Sequence, residues 1–181
     1  MRLLAHPPWL RAGLLALSCL LAVQAGTAAA QGVTDQAVKA GFVFNFIRFT
    51  QWPGVRPDDA HPLLLCAVGE RPLDGQLVSL NGRRVDGRAV EVRMQVPPAE
   101  WPSCHMLFIG MGDRTESVLR GVGNLPVLTV GDQNGFVQAG GMIGLRVEDS
   151  RVRFDVNLAA AHRAGLTLNS QMLKLAGQVL K

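Results

Sequence analysis

The chain is short of several things, and each shortage excludes a class of protein. Charged residues make up only 18% of its 181 residues while 48% are hydrophobic, so the composition is that of a folding chain and not of a disordered one. There is no Gly-X-Y period and no sustained heptad, which excludes a collagen-like rod and a long coiled coil. Tyrosine is absent altogether. The densest basic stretch, Arg83, Arg84, Arg88 and Arg93, is interrupted by Asp86 and Glu91 and carries no interleaved aromatic side chain on which bases would stack. Nucleic acid is therefore not expected as a partner, and the stretch reads as a solvated hairpin.

The common catalytic signatures are missing as well. No Gly-x-Ser-x-Gly elbow, His-Glu-x-x-His helix or Gly-Lys-Ser/Thr loop occurs. His61, His105 and His162 stand apart from any serine or carboxylate pattern and read as surface or strand-edge residues. Gly110-Met111-Gly112-Asp113-Arg114-Thr115 follows a strand and opens a helix, but Thr115 stands where a dinucleotide fingerprint needs its third glycine. A plain strand-to-helix turn is the simpler reading, with free amides that can still hold an anion. No enzyme activity, metal or cofactor is expected.

What the chain does have begins with a leader. Arg2 and Arg11 precede an apolar run from Ala12 to Val23 that ends at Ala28-Ala29-Ala30. The run is too short to span a bilayer, which asks for about 20 apolar residues, and the small residues suit cleavage before Gln31. Residues 1–30 are thus read as a signal peptide and residues 31–181 as one exported periplasmic domain. Losing Arg2 and Arg11 lowers the formal charge of +4 by two. Cys19 lies inside the apolar run, and Ala16-Leu17-Ser18 before it fits a lipidation signal poorly.

Export puts the two remaining cysteines, Cys66 and Cys104, in an oxidising compartment where a pair bonds. A zinc site using Cys66, Cys104 and His105 is disfavoured, because neighbours on a strand point to opposite faces. Two free buried thiols remain the other reading.

Along the mature chain, Thr34 suits an N-cap for a helix to about Thr50, with Ala37, Ala40, Phe44 and Ile47 on one face and Pro53 as the stop after Trp52. Short apolar runs follow, Leu63–Val68, Val90–Val96, Met106–Ile109 and Val127–Val130, with helices expected at Leu73–Leu80 and Arg114–Leu119. Met142–Val147 and Val152–Val156 flank a polar turn, a β-hairpin signal. Asn157 suits the cap of a helix ended by Gly165, and Ser170 the cap of a last helix to Leu180. The expected fold class is α/β: a single-domain sandwich with a mixed, largely parallel β-sheet flanked by helices and a C-terminal β-hairpin. Asp132, in the turn Gly131-Asp132-Gln133-Asn134-Gly135, and Trp52, beside a helix end, are the candidate ligand-binding residues.

Two longer segments carry a resemblance. Lys39-Ala40-Gly41-Phe42-Val43-Phe44-Asn45-Phe46-Ile47-Arg48-Phe49-Thr50-Gln51-Trp52-Pro53 and Gly165-Leu166-Thr167-Leu168-Asn169-Ser170-Gln171-Met172-Leu173-Lys174-Leu175-Ala176 resemble the YfiR family of small periplasmic proteins. Leu128-Thr129-Val130-Gly131-Asp132, Gly140-Gly141-Met142-Ile143 and Arg153-Phe154-Asp155-Val156-Asn157 match the middle of that family in order. The resemblance implies a non-enzymatic repressor that binds the periplasmic sensor region of an inner-membrane diguanylate cyclase (YfiN-like) and so lowers cyclic di-GMP and biofilm formation. It also implies a homodimer, sequestration by an outer-membrane OmpA-like lipoprotein (YfiB-like), and a Cys66–Cys104 disulfide. A second family disulfide has no counterpart here, since no cysteine lies near Met142 to Asp149. An apolar partner surface in the C-terminal part makes Leu166, Leu168 and Leu173 the interface candidates. The rival expectation, from another class, is a periplasmic small-molecule sensor module with its pocket around Asp132 and Trp52.

Overall fold

The computed structural model describes residues 34–56, 60–112 and 114–181; the signal-peptide reading of residues 1–30 lies outside them. The first helix, α1, spans Asp35–Arg48, and the Thr34 hydroxyl accepts from the Ala37 amide at 3.2 Å, as its N-cap position requires. Its apolar stripe lies on the sheet, where Phe46 meets Phe154 edge-on at 5.1 Å. The helix ends earlier than the expected Thr50. The Thr50 hydroxyl donates to the Phe46 carbonyl at 2.7 Å, and Thr50–Gln51 becomes a short strand, β1, paired antiparallel with β9 (Thr167–Leu168). That pairing takes over the backbone before Pro53 is reached.

The main sheet comprises β2 (Leu63–Val68), β3 (Arg84–Val85), β4 (Arg88–Met94), β5 (Met106–Ile109), β6 (Leu128–Gly131), β7 (Ile143–Glu148), β8 (Arg151–Asn157) and β10 (Val179–Leu180). Their order is β10-β8-β7-β6-β5-β2-β4-β3. Only β7 with β8 and β3 with β4 pair antiparallel; the other neighbours are parallel, so the sheet is mixed and largely parallel as the sequence implies.

Side chains alternate across this sheet and build a core on each face. Leu65, Ala67, Met106, Phe108, Leu128 and Val130 join α1 in one cluster. Cys66, Val68, Leu107 and Ile109 join Val118 and Val122 of α2 (Thr115–Val122) in the other. Both central strands are therefore buried on both faces, which accounts for their nearly unbroken apolar runs.

The hairpin β7–β8 turns at Asp149 and Ser150, both in the left-handed region (φ 49° and 57°), as a two-residue hairpin with right-twisted strands requires. Asn157 caps the short helix α3 (Leu158–Arg163) by accepting from the Ala160 amide at 2.9 Å.

Two expected helices come out differently. Pro72–Leu80 is 3-10 helical and kinked, with Leu73, Asp74 and Gly75 all at positive φ, while Leu73 and Leu77 are buried. The expected last helix to Leu180 shrinks to one turn, α4 (Ser170–Leu173), capped by Asn169 and not by Ser170. The chain then runs to Gly177, whose amide donates to the Phe154 carbonyl at 2.9 Å, and ends as β10 alongside β8. A Cβ at Gly177 would lie 2.7 Å from the flexible end of Arg146, so the tail runs close beside the side chains of this edge.

Candidate functional site

Asp132 lies just past the carboxyl end of β6. Its carboxylate is not open to a ligand, because Lys39 on α1 holds it at 2.8 Å with both side chains about nine-tenths covered. The glycine-rich turn around it wraps a ring: a Cβ at Gly131 would strike Phe136 at 2.5 Å and one at Gly141 would strike it at 2.1 Å. Turn chemistry and an ion pair thus account for this segment.

Trp52 is placed elsewhere. Its indole nitrogen donates to the His105 carbonyl at 2.7 Å, and its ring meets the His105 imidazole edge-on at 5.7 Å. His105 immediately precedes β5, and its Nδ1 accepts from the Leu64 amide at 3.1 Å. Because β5 and β6 run parallel in register, His105 and Asp132 stand at opposite ends of two four-residue strands, roughly 16 Å of sheet apart. The pocket expected around Trp52 and Asp132 together is not assembled. Trp52 instead lines a cavity of about 450 Å³ at the amino edge of the sheet, with Ile47, Arg48, Leu63 and Arg88 among its walls.

Arg88 is a residue that sequence reasoning placed on a solvated hairpin. The β3–β4 hairpin forms, yet Arg88 is only 6% exposed and its Nε donates to the His61 carbonyl at 2.8 Å. Arg83 is spread over the Phe44 ring at 3.7 Å, a cation–π contact. The sequence carried no signal for this burial, because the pairing that covers Arg88, with Val85 of β3 on one side while β4 continues along β2 on the other, exists only in the folded sheet.

Cys66 and Cys104 are bonded, with Cα atoms 5.9 Å apart and both residues buried. The bond ties the middle of β2 to the 3-10 turn Pro98–Ser103 that leads into β5. Among the described residues no cluster of His, Cys, Asp and Glu is disposed to hold a metal.

The C-terminal interface candidates are corrected in part. Leu166 and Leu168 are 1% and 6% exposed and belong to the main core cluster, so neither presents an apolar surface. Leu173 is half-buried against the same cluster. The exposed apolar side chain of this segment is Leu175, at 72%.

The YfiR/HmsC-like family model matches residues 36–177, which takes in every described element but the first residue of α1 and the last strand, β10. The chain belongs to the YfiR/HmsC-like family. That family supports a periplasmic regulator of cyclic di-GMP signalling in general. Among solved structures, a conserved domain protein from Vibrio cholerae O1 biovar eltor is similar at a TM-score of 0.51 and 10% identity, covering 81% of this chain and 60% of that one. An ABC domain from Streptococcus pneumoniae in complex with L-Trp matches at a TM-score of 0.46 and 12% identity, covering 75% and 60%. The YfiR-like chain thus spans 60% of each of these solved chains, and the Vibrio likeness shows a shared fold alone. Among the described residues no helix is long and apolar enough to cross a membrane.

Proposed function

We propose that this YfiR-like protein is exported to the periplasm, its leader cleaved near Ala30, and there represses an inner-membrane diguanylate cyclase by binding the cyclase's periplasmic sensor region. Bound, the cyclase makes less cyclic di-GMP and biofilm formation falls; an outer-membrane OmpA-like lipoprotein relieves repression by sequestering the repressor. The protein works as a homodimer and turns over no substrate. The observation that carries this reading is the family match over residues 36–177. A crosslinked core supports it, since a regulator that acts by contact needs a surface of fixed shape.

The contact surface is assigned to the C-terminal segment, with Leu175 in place of the buried Leu166 and Leu168. An exposed leucine beside a half-buried one is the kind of apolar anchor on which interface energy concentrates. The test is capture of the cyclase from detergent-solubilised inner membranes of the native host. Wild-type protein should retain a transmembrane diguanylate cyclase, and Leu175→Asp should weaken retention by about tenfold or more with an unchanged circular dichroism spectrum. Recovery of no cyclase would overturn the reading.

A further inference from the structure

A second cavity, used by neither the Asp132 ion pair nor the C-terminal segment, opens at the carboxyl ends of β4, β2 and β5 on the face covered by α2. It is a half-open cleft of about 680 Å³, within the usual range of small-molecule sites of about 300–1,000 Å³. Its place in the topology is informative. After β2 the chain leaves toward β4, and after β5 it leaves toward β6 on the other flank, so the sheet order reverses between β2 and β5. In open parallel sheets the crevice at such a reversal, outside the carboxyl ends of the strands, is where ligands bind.

The walls are held by contacts of their own. Val68, Val96, Ile109 and Val118, all buried, form an apolar floor. Trp101 forms one side; its indole donates to the Val96 carbonyl at 3.3 Å, and it packs so tightly on α2 that a Cβ at Gly121 would come within 2.6 Å of the ring. The Cys66–Cys104 bond fastens the turn bearing Trp101 to β2. At the back, Gly69 (φ +94°) lets the loops after β2 and β5 touch, since a Cβ there would lie 2.8 Å from the Gly110 carbonyl oxygen. Gln133 donates to the Ile109 carbonyl at 3.1 Å and accepts from the Thr115 hydroxyl at 3.1 Å, fixing the loop that follows β5. A cleft with this many fixed walls does not need to be ordered by its ligand, which favours binding.

The rim carries one charge of each sign. Arg114 and Glu70 both line the cleft, and among the described residues neither side chain has an ion-pair or hydrogen-bond partner. We propose that this cleft binds a small organic acid with a compact apolar body and a hydrogen-bond donor at its far end. The carboxylate pairs with Arg114, the body lies against Val96, Ile109, Val118 and Trp101, and the donor meets Glu70. The site stands independently of the cyclase reading.

The two indoles of the described chain make the test internal, because Trp101 lines this cleft and Trp52 is anchored at the opposite edge of the sheet. The 15N-labelled full chain is titrated with 4-hydroxyphenylacetate and followed by indole N–H cross-peaks. The Trp101 peak should move saturably while the Trp52 peak stays. Arg114→Gln, and the neutral probe 4-hydroxyphenylacetamide on wild-type protein, should each bind about tenfold more weakly. Ser117→Trp, placed on the exposed rim, should block binding without entering the core. No movement of Trp101 at about 10 mM probe, equal movement of both indoles, or binding that survives both substitutions would each overturn the proposal.

Discussion

At the scale of single residues, the Lys39–Asp132 pair illustrates how burial decides the cost of losing a charge. Both side chains are about nine-tenths covered and lie 2.8 Å apart. Asp132→Asn would leave a covered ammonium without its counter-charge, for about 3 kcal/mol, or a fall of roughly 6–12 °C in thermal midpoint for a domain of this size. A Lys39→Met, Asp132→Leu double variant should recover most of that loss, and calorimetry of the two variants checks both statements. The Arg146 cluster behaves differently because it is exposed. A hydrogen bond from Arg146, reinforced by its charge, holds the Glu148 carboxyl below the usual glutamate value near 4.5, and that bond, with the one Arg146 donates to Asp155, raises Arg146 in turn. A carboxyl depressed in the folded state stabilises above its unfolded pKa and loses that contribution as pH falls through the folded one. Wild-type protein and Glu148→Gln should therefore differ slightly in urea midpoint at pH 7, and the difference should shrink as pH falls below the ordinary glutamate value and vanish only once the depressed folded carboxyl is itself protonated.

At the scale of elements, the disulfide closes a loop between residues 38 apart in sequence, and in the chain-entropy treatment such a loop contributes about 4 kcal/mol. Cys66→Ala with Cys104→Ala should lower the thermal midpoint by roughly 8–16 °C, and reduction of wild-type protein under denaturing conditions, followed by refolding in reductant, should give the same midpoint. The elements whose patterns have one interpretation were legible: β2 and β5 fall where their apolar runs stand, and the Asp149-Ser150 turn sits between alternating strands. The tail was not. Met172, Leu173, Leu175, Ala176 and Val179 fit a helical stripe, but the same residues also suit a chain that lies along β8, and the backbone hydrogen bond from Gly177 to Phe154 and the pairing of β10 with β8, invisible in the sequence, decide between them. The same holds for the candidate site. Leu166 and Leu168 read as apolar in sequence, but whether an apolar residue faces the core or a partner depends on which elements close around it, and here both join the main core cluster. Trp52 and Asp132 looked like neighbours until strand direction put them at opposite ends.

For the molecule as a whole, the two cores share one set of strands. Leu65 and Ala67 feed one face while Cys66 and Val68 feed the other, so neither layer can be lost without stripping the same backbone. Trp52 belongs to the first layer and Trp101 to the second. Fluorescence melts of Trp52→Phe and Trp101→Phe variants should each coincide with the far-ultraviolet dichroism melt of the same variant, the sign of one cooperative transition. Separate midpoints would show layers that fail independently. The outermost strands, β3 and β10, are only two residues long. A row of backbone donors and acceptors that ends after two positions offers a poor template for another chain, so at Arg84–Val85 and Val179–Leu180 themselves this eight-stranded sheet gives a second copy little to stack upon.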